Sequence, residues 1–159
     1  MRITLTIEGA AEAQQLLEAA AVRLEQPPRP LLEDLAAKLQ AYFQSHIHDQ
    51  AGPEGAWPSL APATQKIRAW YGHPPAGPAL IRGGDLLQSI TTLALEDRAV
   101  EVGTRAPFAR TLQDGGTVAD AKTGRSRTVQ AFPFVFVSAQ EVQALVTLIQ
   151  EHYFDAPTP

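Results

Sequence analysis

The 159-residue chain contains no cysteine, which excludes disulfide bonds, a thiol nucleophile and thiolate metal ligands. It also lacks any apolar run near the roughly 20 residues that span a bilayer. Its first ten residues alternate polar and apolar side chains, so we expect neither a membrane span nor a signal peptide. Hydrophobic residues make up 45% of the chain and charged residues 19%, which is typical of a globular protein.

Basic residues are absent from one end of the chain and concentrated in the middle. Residues 98–130 carry six basic and three acidic side chains, whereas residues 131–159 carry three acidic side chains and no basic one. The first 60 residues carry four basic and eight acidic side chains. This separation favours head-to-tail self-association or an acidic partner. A solvated hairpin rich in arginine and lysine is the simpler explanation of the same pattern.

The N-terminal third predicts one strand and two helices. Residues 2–8 alternate in polarity, which is typical of a strand with one buried face. From Ala10 the apolar residues recur at helical spacing, and the prolines of segment 27–30 end this first helix. A second amphipathic helix is predicted over residues 31–48.

Residues 49–84, which we call the arm, hold six of the 13 prolines and six of the 11 glycines. Such a length of irregular chain is unusual within a compact domain and is often functional or disordered. One short helix fits inside it, because Pro62 suits a first helical position and Gly72 suits a C-terminal stop.

The second half predicts two β-hairpins. The first joins Ser89–Leu95 to Ala99–Gly103, and the second joins Thr117–Ala121 to Arg127–Ala131. Asp85 is the predicted N-cap of a short turn before the first hairpin.

A final helix follows the hairpins. Phe132–Val137 is predicted as either a short buried strand or an extended segment, because Pro133 disfavours a sheet interior. Ser138 and Glu141 form a capping box that begins a helix over residues 138–154.

These elements predict a single α+β domain, with an antiparallel sheet of four to five strands packed with two or three helices. The long Pro/Gly-rich arm is added to this body. The predicted parts are residues 1–48, 49–84, 85–137 and 138–154.

No catalytic, cofactor or metal motif stands out. The best metal-binding or enzymatic candidates are His46, His48 and Asp49. Two residues separated by two positions on a helix point about 200° apart, and closed zinc sites usually need four ligands. We therefore predict ordinary histidines, no enzyme and no cofactor.

Aromatic and basic residues are the candidates for binding. Trp57, Trp70 and Tyr71 of the arm could stack on nucleic-acid bases. We favour instead that they anchor the arm, either to its own domain or to a neighbouring subunit, because interfaces are enriched in aromatic residues.

The hairpin with Lys122, Arg125 and Arg127 could contact phosphates. A nucleic-acid-binding accessory protein is therefore the alternative function. The net charge of −4 makes that alternative the weaker one, because nucleic-acid-binding domains are usually basic.

Four segments of the chain contain short motifs that are informative when they are read together. They are the Trp-Pro-containing stretch 55–66, the Leu/Gly-containing stretch 80–90, the Val-Gly-Thr to Gln-x-Gly stretch 102–115, and the Phe-Pro-Phe stretch 131–134. Read together and in order, they resemble the phage virion morphogenesis (tail completion) family of Mu-like phages and prophages. The sequence departs from that family's pattern at four positions: Ala61 replaces a serine, Phe108 a tyrosine, Leu112 a histidine and Phe132 an arginine.

The resemblance spans residues 31–153. It implies a non-enzymatic structural protein of tail completion or head–tail joining, a virion component assembled in the bacterial host cytoplasm. The implied partners are further copies of the chain, including a ring of them, and other tail or neck proteins; neither a membrane nor nucleic acid is implied. The predicted interface residues are Trp57, Trp70, Tyr71, Arg105, Phe108, Arg110, Gln113, Lys122, Arg125 and Arg127.

Overall fold

The structure is a computed structural model that describes residues 27–81, 83–119 and 124–154. The predicted strand 2–8, the predicted first helix and Lys122 lie outside the described residues.

The long helix α1, Arg29–Asp49, is the element against which much of the rest packs. It begins after Pro28 and ends at Gln50, whose backbone is left-handed with φ 55° and whose N–H bonds to carbonyls of the last turn. Its buried face includes Phe43 and the fully buried Ile47. The helix predicted over 31–48 is confirmed.

The arm contains more regular structure than its composition predicts. Strands β1 (Ala51–Gly52) and β2 (Gly55–Ala56) form a minimal antiparallel hairpin. Helix α2, Pro62–Trp70, begins with proline as predicted, and Gly72 follows its end with a positive φ of 73°.

The second half confirms both hairpins and the last helix. Its elements are α3 (Asp85–Ser89), β3 (Ile90–Leu95), β4 (Val100–Thr104), α4 (Ala109–Asp114), β5 (Gly116–Ala119), β6 (Ser126–Val129) and α5 (Ala139–Phe154). Both hairpins are antiparallel, and β3 shifts register between Thr92 and Ala94. In the parts of the chain that the structure describes, no helix is long and apolar enough to cross a bilayer.

The class is α+β, but the prediction of one sheet of four to five strands was wrong. The described residues form three separate two-stranded sheets, β1–β2, β3–β4 and β5–β6. The physical reason lies partly in segment 132–137, which is irregular and belongs to no sheet. Side chains bond to several of its backbone groups, as described below.

Two local predictions around α3 were also wrong. Gly84, with φ 78°, is the N-cap, and Asp85 is the first helical residue and makes no capping hydrogen bond. Ser89 ends this helix instead of beginning the strand. Its hydroxyl lies 2.7 Å from both the Leu86 carbonyl oxygen and Thr104 Oγ1.

The hydrophobic core lies where α1, the α3–β3 junction and α4 meet segment 132–137. Its buried members are Phe43, Ile47, Leu86, Ile90, Ala109 and Phe134. Leu39, Trp57, Leu80 and Val102 are among the half-buried side chains packed against it.

Gly115 is the turn residue that the fold most clearly requires. Its backbone has φ 68° and ψ −161°, a region that is essentially restricted to glycine. A Cβ there would lie 2.8 Å from the Ala131 nitrogen, closer than van der Waals contact allows.

We expect Gly115→Ala to lower the free energy of unfolding by more than about 2 kcal/mol, because backbone strain of about 1–3 kcal/mol adds to the clash. Gly72→Ala is the matched control, since Gly72 has a similar φ of 73° but open space around the added methyl group. It should cost only about 1–2 kcal/mol. Urea denaturation measures both, and equal losses would show that the contact with Ala131 is unimportant.

Candidate interaction surface

Segment 132–137 alternates between buried and outward-facing side chains. Phe132 and Phe134 are buried, with exposures of 5% and 1%. Phe136 stacks on the ring of His46, with ring centroids 3.8 Å apart. Val135 and Val137 are exposed between them. The segment therefore has a strand's periodicity without a neighbouring strand.

Side chains from three different elements bond to the backbone of this segment. His46 Nδ1 of α1 donates to the Phe134 carbonyl oxygen at 3.0 Å. Trp57 Nε1 of the arm donates to the Pro133 carbonyl oxygen at 3.1 Å, and its ring meets Phe132 edge to face.

Gln113 of α4 is the third side chain. Its amide group bonds to the backbone of the segment as a neighbouring strand would. Its Oε1 accepts the N–H groups of Phe134 and Val135 at 2.9 and 3.0 Å. Its Nε2 donates to the Val135 carbonyl oxygen at 3.2 Å. A backbone hydrogen bond lies beside these contacts: Phe132 N–H donates to the Leu112 carbonyl oxygen at 2.7 Å. The Gln113 amide therefore makes its hydrogen bonds within the chain, to Phe134 and Val135.

Helix α5 lies antiparallel to α1 and is paired with it at both ends. At its start, His46 Nε2 lies 2.8 Å from Glu141 Oε1. Toward its other end, His152 Nε2 lies 3.0 Å from Asp34 Oδ2. These two histidine–carboxylate pairs fix which face of α5 is turned toward α1.

Glu141 is the residue of the first pair whose pKa is shifted by its surroundings. Burial raises the pKa of its carboxyl, but hydrogen bonds from the Ser138 hydroxyl and N–H, together with His46, outweigh burial and lower the pKa. Both Ser138 groups lie 2.7 Å from Oε2, and Glu141 N–H lies 3.3 Å from the Ser138 hydroxyl. The predicted capping box is confirmed, and it holds an ionised carboxylate against His46.

Two valines of α5 lie about 100° round the helix from this pairing and are exposed. Val142 and Val146, one turn apart, are 48% and 38% exposed. They follow the outward-facing Val135 and Val137, which are 38% and 37% exposed.

The arm is fastened to the body and to itself at several points. Gln50 Nε2 donates to the Ala79 carbonyl oxygen at 3.0 Å, and Gln50 Oε1 accepts the Ala79 N–H. The buried Arg68 of α2 donates from Nη1 to the Pro78 carbonyl oxygen at 2.8 Å. A Cβ on Gly77 would lie 2.7 Å from Arg68 Nη2, so the loop passes directly over the guanidinium group.

Because Arg68 faces inward, the opposite side of α2 faces outward. Trp70 is 89% exposed, Tyr71 is 66% exposed and Ile67 is 47% exposed. These three residues form what we call the Trp70 surface. The exposed Lys66 lies one helical turn before Trp70, on the same side.

The other predicted interface residues are distributed over different elements. Arg105 and Phe108 are exposed in the loop before α4. Arg110 is exposed on α4, with its Nε 3.6 Å from Asp114 Oδ2. Arg125 and Arg127 are exposed at and just before strand β6. The interface role of these residues stays a prediction.

His46, His48 and Asp49 do not form a common site. His46 points into the fold, whereas the His48 side chain is 81% exposed and lies 3.3 Å from Asp49. Within the described ranges, no three residues of the usual metal-binding types come together. The divergence expected from helical geometry is therefore observed.

The sequence analysis missed the internal roles of His46 and Arg68. For His46 a signal was present, since it lies on the same helical stripe as Phe43 and Ile47. For Arg68 no local signal exists, because its acceptors are backbone carbonyls ten residues away.

We expect Glu141→Gln to lower the free energy of unfolding at pH 7 by about 1–3 kcal/mol, because charge-assisted hydrogen bonds are lost. The lowered pKa of Glu141 stabilises the fold above the ordinary glutamate value of 4.5. This contribution is lost as the pH falls through the folded-state pKa, so the difference between variant and original chain should vanish in acid. Urea denaturation at several pH values tests this, with Glu151→Gln on the same helix as the control. A difference that does not change with pH would contradict it.

No curated protein and no solved structure matches the chain significantly. Residues 10–153, nearly the whole chain, match the phage virion morphogenesis family. This match includes all the described elements except the last residue of α5. The chain therefore belongs to the phage virion morphogenesis family, whose name indicates a structural or assembly role in the phage virion.

Proposed function

We propose that this chain is a non-enzymatic structural protein that completes the phage tail or joins it to the head. It works by docking to copies of itself, including a closed ring of them, and to other tail or neck proteins. It is assembled into the virion in the host cytoplasm, where a chain without cysteine is unaffected by the reducing conditions.

The observation that carries the proposal is the exposure of Trp70 on an arm that is fastened to its own body. A tryptophan that is 89% exposed is costly to leave in water. Tryptophan and tyrosine are enriched where protein partners bind. Membership of a morphogenesis family supplies the context in which such a surface is useful.

The histidines support a non-catalytic role through what they do in the fold. His46 has one ring nitrogen on the Phe134 carbonyl oxygen and the other on Glu141, and its face is covered by Phe136. His152 joins α5 to α1 through Asp34. Both rings hold helices together.

We expect the purified chain to self-associate, or to bind the tail-tube protein or a connector protein, because the Trp70 surface gains by being covered. Light scattering should show a mass above that of one chain, rising with protein concentration, alone or with these partners. A strict monomer that binds no tail or connector component would overturn the proposal.

The nucleic-acid alternative has its own measurement. Binding of single- or double-stranded DNA that weakens with salt and is lost in Lys122→Ala/Arg125→Ala/Arg127→Ala would favour that alternative. The absence of binding at low salt would remove it.

A further inference from the structure

We propose that Arg68 is a positioning residue that keeps the apolar side of α2 turned outward, and that without it the helix turns this side onto the body of the protein. This role rests on the proposed function, since an outward-facing Trp70 surface is useful to a chain that docks. Arg68 thereby serves docking without contacting the partner itself.

Helix α2 has the reverse polarity of an ordinary surface helix, which turns its apolar stripe toward the core. In α2, all of whose residues the structure describes, Arg68 is the buried residue. Gln65, half-buried on the same side, donates from Nε2 to the Leu60 carbonyl oxygen at 2.7 Å. Ile67 and Trp70 are exposed. Burial of apolar side chains therefore cannot be what fixes the orientation of this helix.

Arg68 ties α2 to the stretch of the arm that returns to the body. Its Nη1 donates to the Pro78 carbonyl oxygen at 2.8 Å, and at the longer distance of 3.4 Å to that of Gly77. The next residue, Ala79, is buried and accepts a hydrogen bond from Gln50 at the end of α1. The guanidinium group therefore connects α2 to a point that is itself fixed.

A guanidinium group is a costly anchor at this position. It carries a permanent positive charge, and Arg68 is 7% exposed. Within the described residues it forms no ion pair, and its buried Nε has no hydrogen-bond partner. Burying a charge costs solvation energy that two carbonyl oxygens repay only in part. An apolar side chain of similar length should therefore fold at least as stably.

What the arginine supplies in return is a defined orientation. Its donors need acceptors, and the carbonyl oxygens of Gly77 and Pro78 supply them for one rotation of α2. The Trp70 surface is then held in water, although it would gain by being covered. An apolar residue at position 68 removes the need for those acceptors, so the helix gains by turning its apolar side inward.

The test replaces Arg68 with methionine, which has a similar length and no charge. We expect Arg68→Met to keep or raise the urea midpoint of unfolding. It should also weaken self-association, or binding of the tail-tube protein, by at least about 10-fold, because an aromatic anchor is no longer available. Light scattering measures the association. A residue with a purely structural role would lower the urea midpoint instead.

Fluorine NMR of the full chain labelled with fluorotryptophan measures the orientation directly. The chain has two tryptophans, so two signals are expected, and Trp70→Phe assigns them. In the original chain, the signal of Trp70 should shift more between light and heavy water than that of the half-buried Trp57. In Arg68→Met, we expect the solvent shift of Trp70 to fall toward that of Trp57.

The controls are Arg68→Lys and Arg98→Met. Both hydrogen bonds of Arg68 come from Nη1, and the single side-chain nitrogen of lysine can donate to the same oxygens. Arg68→Lys should therefore keep Trp70 exposed and retain association. Arg98→Met makes the same chemical change at an exposed residue between β3 and β4 and should behave like the original chain.

Three results for Arg68→Met would overturn the inference. The variant could lose stability, its Trp70 signal could stay as exposed as in the original chain, or it could shield Trp70 and still associate as tightly. An original chain that binds neither itself nor a tail-tube or connector protein would overturn the proposed function instead. The fluorine signal would then still decide whether Arg68 sets the orientation of α2.

Discussion

The fold depends on how the backbone of segment 132–137 is satisfied. This segment is irregular and partly buried, and no strand among the described residues pairs with it. Buried backbone groups without partners are costly, so hydrogen bonds must come from elsewhere. They come from the side chains of His46, Trp57 and Gln113, which belong to the long helix, the arm and a short helix. One stretch of backbone thereby joins three parts of the chain.

This arrangement links the core to the surfaces. Phe134 is a buried member of the hydrophobic cluster, and the residue after it, Val135, is exposed. The same segment leads into the Ser138–Glu141 cap, where Glu141 meets the histidine that also bonds to Phe134. The orientation of α5, and so of its outer valines, follows from contacts made deep in the fold.

Local patterns in the sequence predicted many of the elements, but not the β1–β2 hairpin or the way in which the elements assemble. The amphipathic stripe of α1, the proline that starts α2, the alternation in both hairpins and the capping box of α5 all encode their structure within a few residues. The single sheet was wrong because alternation shows that a strand can form and does not show what pairs with it. Phe132–Val137 has the alternation, and its partners are side chains up to 88 residues away.

The predicted interface residues lie in different environments of the fold. Trp70 and Tyr71 are exposed, whereas Trp57 and Gln113 have internal contacts, and the interface role of all four stays a prediction. Trp57 and Gln113 differ from Trp70 and Tyr71 because the Trp57 indole N–H and the Gln113 amide bond to backbone groups of segment 132–137. Residue type alone cannot distinguish an aromatic side chain that anchors the arm from one that faces outward.

The attachment of the arm has a thermodynamic consequence. A free loop that carries Trp70 would lose conformational entropy when it is captured, at roughly 1–2 kcal/mol for each backbone residue that is fixed. Here Gln50, Trp57 and Arg68 already hold the arm, so much of that loss is incurred when the chain folds. A partner then meets a preorganised tryptophan, and more of the free energy of covering it is available for affinity.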